Sequence, residues 1–183
     1  MTFLKATQDD VTTLMADGSA TIKWYVDAAF GVHQDLKSHT GATMTLGQGT
    51  ICSVSTKQKV NTRSSTEAEL VGLDDVLSKI QWVKLFIEAQ GFKVKNIVYR
   101  DNTSSMKLEE NGRASASKRT RHFNIKYFYI TDLIERGEVY IEYCPTDAML
   151  ADFMTKPLVG AKFFAFRKQV LDHQQSSRSV LDI

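Results

Sequence analysis

The chain is poor in proline, in cysteine, in long apolar runs and in net charge, and each shortage removes a class of answer. Two prolines among 183 residues, with 43% apolar and 24% charged side chains, do not describe a disordered or fibrous protein, and the length suits one well-buried globular domain. Cys52 and Cys144 are far apart and belong to no C-x-x-C pair. They indicate neither a zinc site nor a disulfide framework and read as two reduced thiols in strands. No run approaches the roughly 18 apolar residues that span a bilayer, and the opening MTFLKATQDD lacks the apolar core of a signal peptide. The expectation is a soluble intracellular protein with no membrane partner. A formal net charge of +2 means that any nucleic-acid footprint must be a local basic patch.

What is present begins with alternation. After a polar segment ending in ADGS, Ile22, Trp24 and Val26 alternate with Lys23, Tyr25 and Asp27, the period of a strand with two different faces, so that Asp27 points away from Trp24. GATMTL and TICSVST are two further strand-like runs joined by GQG, a link suited to a hairpin, which gives three antiparallel strands. From Ser64 to Ala89, Leu70, Leu73, Leu77, Ile80, Val83 and Ile87 recur at three- and four-residue spacing, predicting a long amphipathic helix that stops at Gly91. KNIVYRDN predicts a short strand ending in Asp101, with Asn102 capping a short helix that stops at ENG. A basic opening, SKRTRH, leads into a helix running to Glu135, followed by the strand EVYIEYC, which Pro145 ends. TDAMLADFMT reads as a last core helix stopped by Pro157, and AKFFAFRKQVL as a further amphipathic helix. The order describes an α/β or α+β domain on a mixed sheet.

Four carboxylates stand at comparable places in that order. Asp27 lies within IKWYVDAAF, where an ionised carboxylate among apolar neighbours is costly unless it is paired or ligates a metal. Glu69 falls in the first turns of the long helix, Asp101 at the end of the fourth strand, Asp152 in the last core helix. Each has a plain alternative. Glu69 would serve a capping box with Thr66, although Ser64 and Glu67 offer the same spacing; Asp101 would be a helix cap, although Asn102 can do that; Asp152 would be an exposed helix residue. Taken together, three or four clustered carboxylates need cations between them. An all-oxygen set without Cys or His suits a hard ion, Mg²⁺ or Mn²⁺. The matching chemistry is phosphodiester hydrolysis with two ions roughly 3.5–4 Å apart.

Seven stretches, YVDAAF, KSHTGA, NTRSSTEAELVGL, VYRDN, KRTRHFNIKYF, EYCPT and ADFMTKPL, occur in an order and spacing that resemble the ribonuclease H domain of copia-type LTR retrotransposon polyproteins. The resemblance implies an α/β ribonuclease H-like fold, a five-stranded mixed sheet with its first three strands antiparallel and helices on both faces. It implies a metal-dependent endonuclease that cuts the RNA strand of RNA–DNA hybrids during reverse transcription. By motif position Asp27, Glu69, Asp101 and Asp152 are then both catalytic and metal-binding, holding two Mg²⁺ ions, with Mn²⁺ as a substitute. Ser65, Thr66 and Asn102 are placed beside the hybrid's backbone and minor groove, which suits small polar side chains at a helix N-terminus. The implied partners are the hybrid and the reverse transcriptase domain of the same polyprotein. The implied location is cytoplasmic, in virus-like particles, with nuclear entry open.

Lys118, Arg119, Arg121 and His122 form the local basic patch, read either as a solvated helix start or as phosphate contacts, with His122 also readable as a packed or capping imidazole. His39 reads as a loop histidine without a site role. Two departures from the family stand out. Residues 145–151 lack the histidine that many ribonucleases H carry before the last acidic position, and Thr103 stands where a glutamine often follows the Asp-Asn pair. The expected layout is a connection segment at 1–19, the ribonuclease H domain at 20–158, a packed helix at 159–172 and a flexible tail at 173–183. A catalytically weak nucleic-acid-binding remnant is the alternative; an integrase-like DNA nuclease fits the carboxylates but not the SSTEAEL helix start.

Overall fold

The computed structural model describes residues 7–111 and 124–171. The basic stretch containing Lys118, Arg119, Arg121 and His122, and the tail from 173, lie outside the described residues.

The described residues form seven strands and five α-helices, in chain order β1 (Met15–Ala16), β2 (Thr21–Ala29), β3 (His39–Thr45), β4 (Gly47–Gln48), β5 (Cys52–Lys57), α1 (Ser65–Ala89), β6 (Lys95–Arg100), α2 (Thr103–Asn111), α3 (Asn124–Glu135), β7 (Tyr140–Tyr143), α4 (Asp152–Thr155) and α5 (Gly160–Leu171). Five strands make one mixed sheet in the order β5-β3-β2-β6-β7. β3 pairs antiparallel with both β2 and β5, while β6 runs parallel to β2 and β7 parallel to β6. The expected five-stranded mixed sheet is what forms.

Alternation along β2 decides which face each helix covers. Ile22, Trp24 and Val26, all fully buried, join Ala42, Met44, Val54 and Val98 from neighbouring strands against Leu73, Val76, Leu77 and Ile80 of α1 and Ile130 and Leu133 of α3. The opposite face carries Tyr25 and Tyr99, stacked at 5.0 Å, against Cys144, Met149 and Ala151. Asp27 therefore leaves the sheet on the side where α4 lies. Beyond Ile80 the apolar stripe of α1 continues with Val83 and Ile87, partly buried against the core, while Trp82, Leu85 and Phe86 on the other faces of α1 remain exposed.

Three expectations are corrected. TDAMLADFMT is not one helix but a 3-10 turn (Thr146–Ala148) and the four-residue α4, because Met149 takes an extended conformation at ψ 91 and interrupts the coil. That interruption buries Met149 and Ala151 and turns Asp152 inward to 1% exposure, so Asp152 is no surface residue. His39 is the first residue of β3 rather than a loop residue, its ring held between His33 Nε2 at 3.0 Å and Ser55 Oγ at 2.9 Å. The GQG link is more than a hairpin connection, since β4 pairs with β1. Gly49, at φ 69, lies so close to the Thr13 carbonyl that no Cβ fits. Thr13 N–H in turn donates to the Leu171 carbonyl at the end of α5.

Candidate active site

The long helix starts as its sequence dictates. Ser64 is the N-cap, its hydroxyl accepting from Glu67 N–H at 3.2 Å, and the Glu67 carboxylate accepts from Arg63 N–H. Capping thus falls to Ser64 and Glu67, and Glu69 is left for another purpose. Asn102 plays the same part for α2, its Oδ1 accepting from the N–H groups of Ser104 and Ser105, which frees Asp101. Asp101 instead accepts from the Thr146 hydroxyl at 3.0 Å.

Three aspartates from three separate segments converge. One carboxylate oxygen from each of Asp27 on β2, Asp101 after β6 and Asp152 at the start of α4 lies within 4.8 Å of the others. Asp27 is 2% exposed and Asp101 half-buried. The open cleft above them, about 410 Å³, is lined by Asp27, Ala28, Glu69, Asp101, Asn102, Thr103 and Lys156. Glu69 borders this cleft but is not part of the aspartate cluster. Its Oε1 accepts from Ala28 N–H at 3.3 Å, and its Oε2 lies 2.9 Å from Arg100 Nη2. Burial raises the Glu69 carboxyl to about 8; Arg100 pulls it down, while Asp27 and Asp101 push it further up. Ser65 is exposed and Thr66 half-buried on the first turn of α1, and neither lines the cleft.

Several residues that matter here carry no obvious flag in the sequence. Arg100 is fully buried between Glu69 and Glu109, donating to the backbone carbonyls of Val26 and Glu69. Thr155 donates to Asp27 Oδ2 at 2.5 Å. Lys156 Nζ sits 2.5 Å from Asp152 Oδ1 and 3.5 Å from Asp27 Oδ2, and Lys162 Nζ sits 2.9 Å from Asp152 Oδ2. Gly41 pairs with Asp27 across the sheet and lets α4 approach. The one available sequence signal was the Asp152–Lys156 spacing of four, which aligns two side chains on a helix face.

The donor set is hard oxygen throughout, buried at Asp27 and Asp152 and half-buried at Asp101, and mutually repulsive when close together, which fits a hard divalent cation. No family model matches the chain. Its sequence relatives include the retrovirus-related Pol polyprotein from transposon TNT 1-94 of Nicotiana tabacum, 31% identical over 164 residues, 88% of this chain. A second is the Pol polyprotein from transposon RE2 of Arabidopsis thaliana, 29% identical over 171 residues, 92% of this chain. The chain spans only 12% of the length of each. Among solved structures, a ribonuclease H1 isolated from compost superposes with a TM-score of 0.56 at 16% identity, over 74% of this chain and 92% of that one. The chain has the ribonuclease H fold. The N-terminal ribonuclease H domain of a Mycobacterium tuberculosis protein agrees, with a TM-score of 0.52 at 13% identity over 82% of this chain and 98% of that one. The resemblance carried by the seven sequence motifs is borne out by both comparisons.

Proposed function

We propose that this chain is the hybrid-cleaving nuclease module of a retrotransposon Pol polyprotein, an endoribonuclease for the RNA strand of RNA–DNA hybrids. The observation that carries the reading is the convergence of Asp27, Asp101 and Asp152 within 4.8 Å, beside Glu69, at one open cleft of a ribonuclease H fold. Support for the substrate comes from a structurally similar ribonuclease H1, TM-score 0.51 at 12% identity over 72% of this chain and 91% of that one, which has been crystallised with an RNA/DNA hybrid. The Pol relatives support fusion to a reverse transcriptase, which would add contacts and effective concentration.

The three aspartates and Glu69 are the residues to hold Mg²⁺ or Mn²⁺, which when bound would acidify water and neutralise charge on the leaving oxygen. The rest is the protein's work. Asp27 and Asp152 are buried and hydrogen-bonded, so their orientations are fixed before substrate arrives. Asn102 and Thr103 present polar groups at the rim of the cleft, where a sugar–phosphate backbone would lie. Ser65 and Thr66, at the N-terminus of α1, and the basic residues of 118–122 are the proposed contacts to the hybrid's backbone.

The test is cleavage of a labelled hybrid, with double-stranded RNA and DNA as controls, in Mg²⁺, Mn²⁺ and EDTA, for this protein and Asp101→Asn. Cutting confined to the RNA strand of the hybrid, dependent on a divalent ion and reduced at least about a hundredfold by the substitution, is expected. Salt-sensitive hybrid binding without cleavage in any metal would overturn the enzyme reading in favour of a binding remnant. One observation favours that second reading: both oxygens of Asp152 are already engaged by lysines.

A further inference from the structure

The same two lysines make the cleft unequal from one end to the other. At the Asp101 end no lysine touches the carboxylate among the described residues: the Thr146 hydroxyl donates to Asp101, the Asn102 amide oxygen caps α2, and the charge of Arg100 lies behind, against Glu69 and Glu109. At the Asp152 end, Lys156 closes α4: its N–H donates to the Asp152 carbonyl at 2.9 Å, and its ammonium returns over the turn to the Asp152 carboxylate. From there it also reaches Asp27 on β2 at 3.5 Å. A salt bridge between residues four apart on one helix is ordinary. A contact continuing to a buried carboxylate on another element, inside the cleft, is not explained by helix stability.

Lys162 differs. It approaches Asp152 from α5, donates also to the Thr146 carbonyl at 3.3 Å, and does not line the cleft. It is a strut between α5 and the turn before α4. Among the described residues, Lys156 is the cation that lines the cleft.

We propose that Lys156 is a resident cation of the cleft, occupying the edge shared by Asp27 and Asp152, so that one divalent ion binds readily while a second must displace its ammonium. The proposal rests on the nuclease reading above. It makes the chain a site that is charge-compensated before any metal arrives. It also makes occupancy of the second position depend on what else draws Lys156 away, an incoming phosphate being the natural candidate because it offers the ammonium a replacement anion. A unit positive charge a few ångströms from a divalent ion, with water at hand, weakens that ion's binding by about tenfold or more.

Mn²⁺ binding distinguishes this from a structural salt bridge. The full chain, Lys156→Met, Lys156→Arg and Lys162→Met are titrated with Mn²⁺ at constant ionic strength without nucleic acid, free Mn²⁺ being read by electron paramagnetic resonance, and each protein is melted in EDTA to show that it folds. The expected result is one tight and one weak site in the unaltered chain and in Lys156→Arg. In Lys156→Met the weak site tightens about tenfold, and in Lys162→Met it stays weak. Two equally tight sites in the unaltered chain, or a Lys156→Met curve that superposes on it, would overturn the role of Lys156 and leave the nuclease reading standing. Absence of saturable Mn²⁺ binding in every protein would overturn both.

Discussion

Gly41 offers the sharpest test of how the site is assembled. It lies opposite Asp27 in the β2–β3 pairing and opposite Ser55 in the β3–β5 pairing, on the face covered by α4. A Cβ added there would meet Thr155 Cγ2 at 2.4 Å and both the Ala151 carbonyl oxygen and Met154 Cβ at 3.0 Å. Only the first of these can rotate away, and Thr155 can do so only by abandoning its 2.5 Å hydrogen bond to Asp27. The other two belong to the backbone or sit on it, so Gly41→Ala must lift α4 by about 1 Å to restore carbon contacts of about 3.5 Å. Overpacking of this kind costs about 1–3 kcal/mol, partly offset by the lower unfolded-state entropy of alanine. With about 1–2 kcal/mol left after that offset, and about 2–4 °C per kcal/mol for a chain of this size, Tm should fall by about 2–8 °C.

The functional loss should exceed the stability loss, because the element displaced carries Asp152. Hybrid cleavage at a temperature where the variant is fully folded is expected to drop at least about tenfold, since displacements near 1 Å are that costly to a reaction that depends on positioning. Adding Thr155→Ser to Gly41→Ala removes the offending methyl while keeping the hydroxyl for Asp27, and should recover part of both losses. A Gly41→Ala protein that melts and cleaves like the parent would refute the claim that this close approach sets the position of Asp152.

Other expectations are independent of α4. In EDTA, the Glu69 carboxyl stays protonated to about pH 8 in the fold against about 4.5 in the unfolded chain, so the folded state holds a proton that the unfolded state releases. Stability should therefore fall by a few kcal/mol as pH rises from about 4.5 to 8, and urea melts of Glu69→Gln should lose that slope. Arg100→Met leaves the buried Glu109 without its countercharge and strips the Glu69 carboxyl of its 2.9 Å neighbour and should cost about 3–5 kcal/mol; combining it with Glu109→Leu should cost less than the two changes separately, and simple additivity in chemical denaturation would count against the pairing. Arg121→Ala should lower hybrid affinity and reduce the slope of log affinity against log salt by about one, measured by anisotropy; an unchanged slope would remove Arg121 from the phosphate contacts.

Elements with a strong local signal were legible in the sequence. The alternation of Ile22, Trp24 and Val26 placed Asp27 on the face away from the main core, and the competition of Ser64 with Thr66 for capping resolved in the way that leaves Glu69 available. What was not legible depends on partners distant in the chain. Gly41 looks like any strand glycine until α4 folds over it, and Arg100 reads as the polar end of a strand until α1 and α2 bring Glu69 and Glu109 to it. The break at Met149 had no sequence cue, since Thr146 to Thr155 contains neither glycine nor proline; tertiary burial of Met149 and Ala151 overrode a local pattern that favours helix.

The buried charge of Asp27 calls for compensation, and a bound metal is the answer the sequence suggests. The structure supplies a second one from the protein itself: the Thr155 hydroxyl on one oxygen of Asp27, Lys156 at 3.5 Å, and Arg100 behind Glu69. A cluster held by its own cations can fold before ions bind, which suits the proposed nuclease, where ions and a polyanionic substrate would arrive together. The cost falls on the second ion, whose positive charge the cleft has already partly supplied. Asp152, with both oxygens engaged by lysines and its backbone fixed by α4 against Gly41, is accordingly the member of the set on which metal loading and local packing converge.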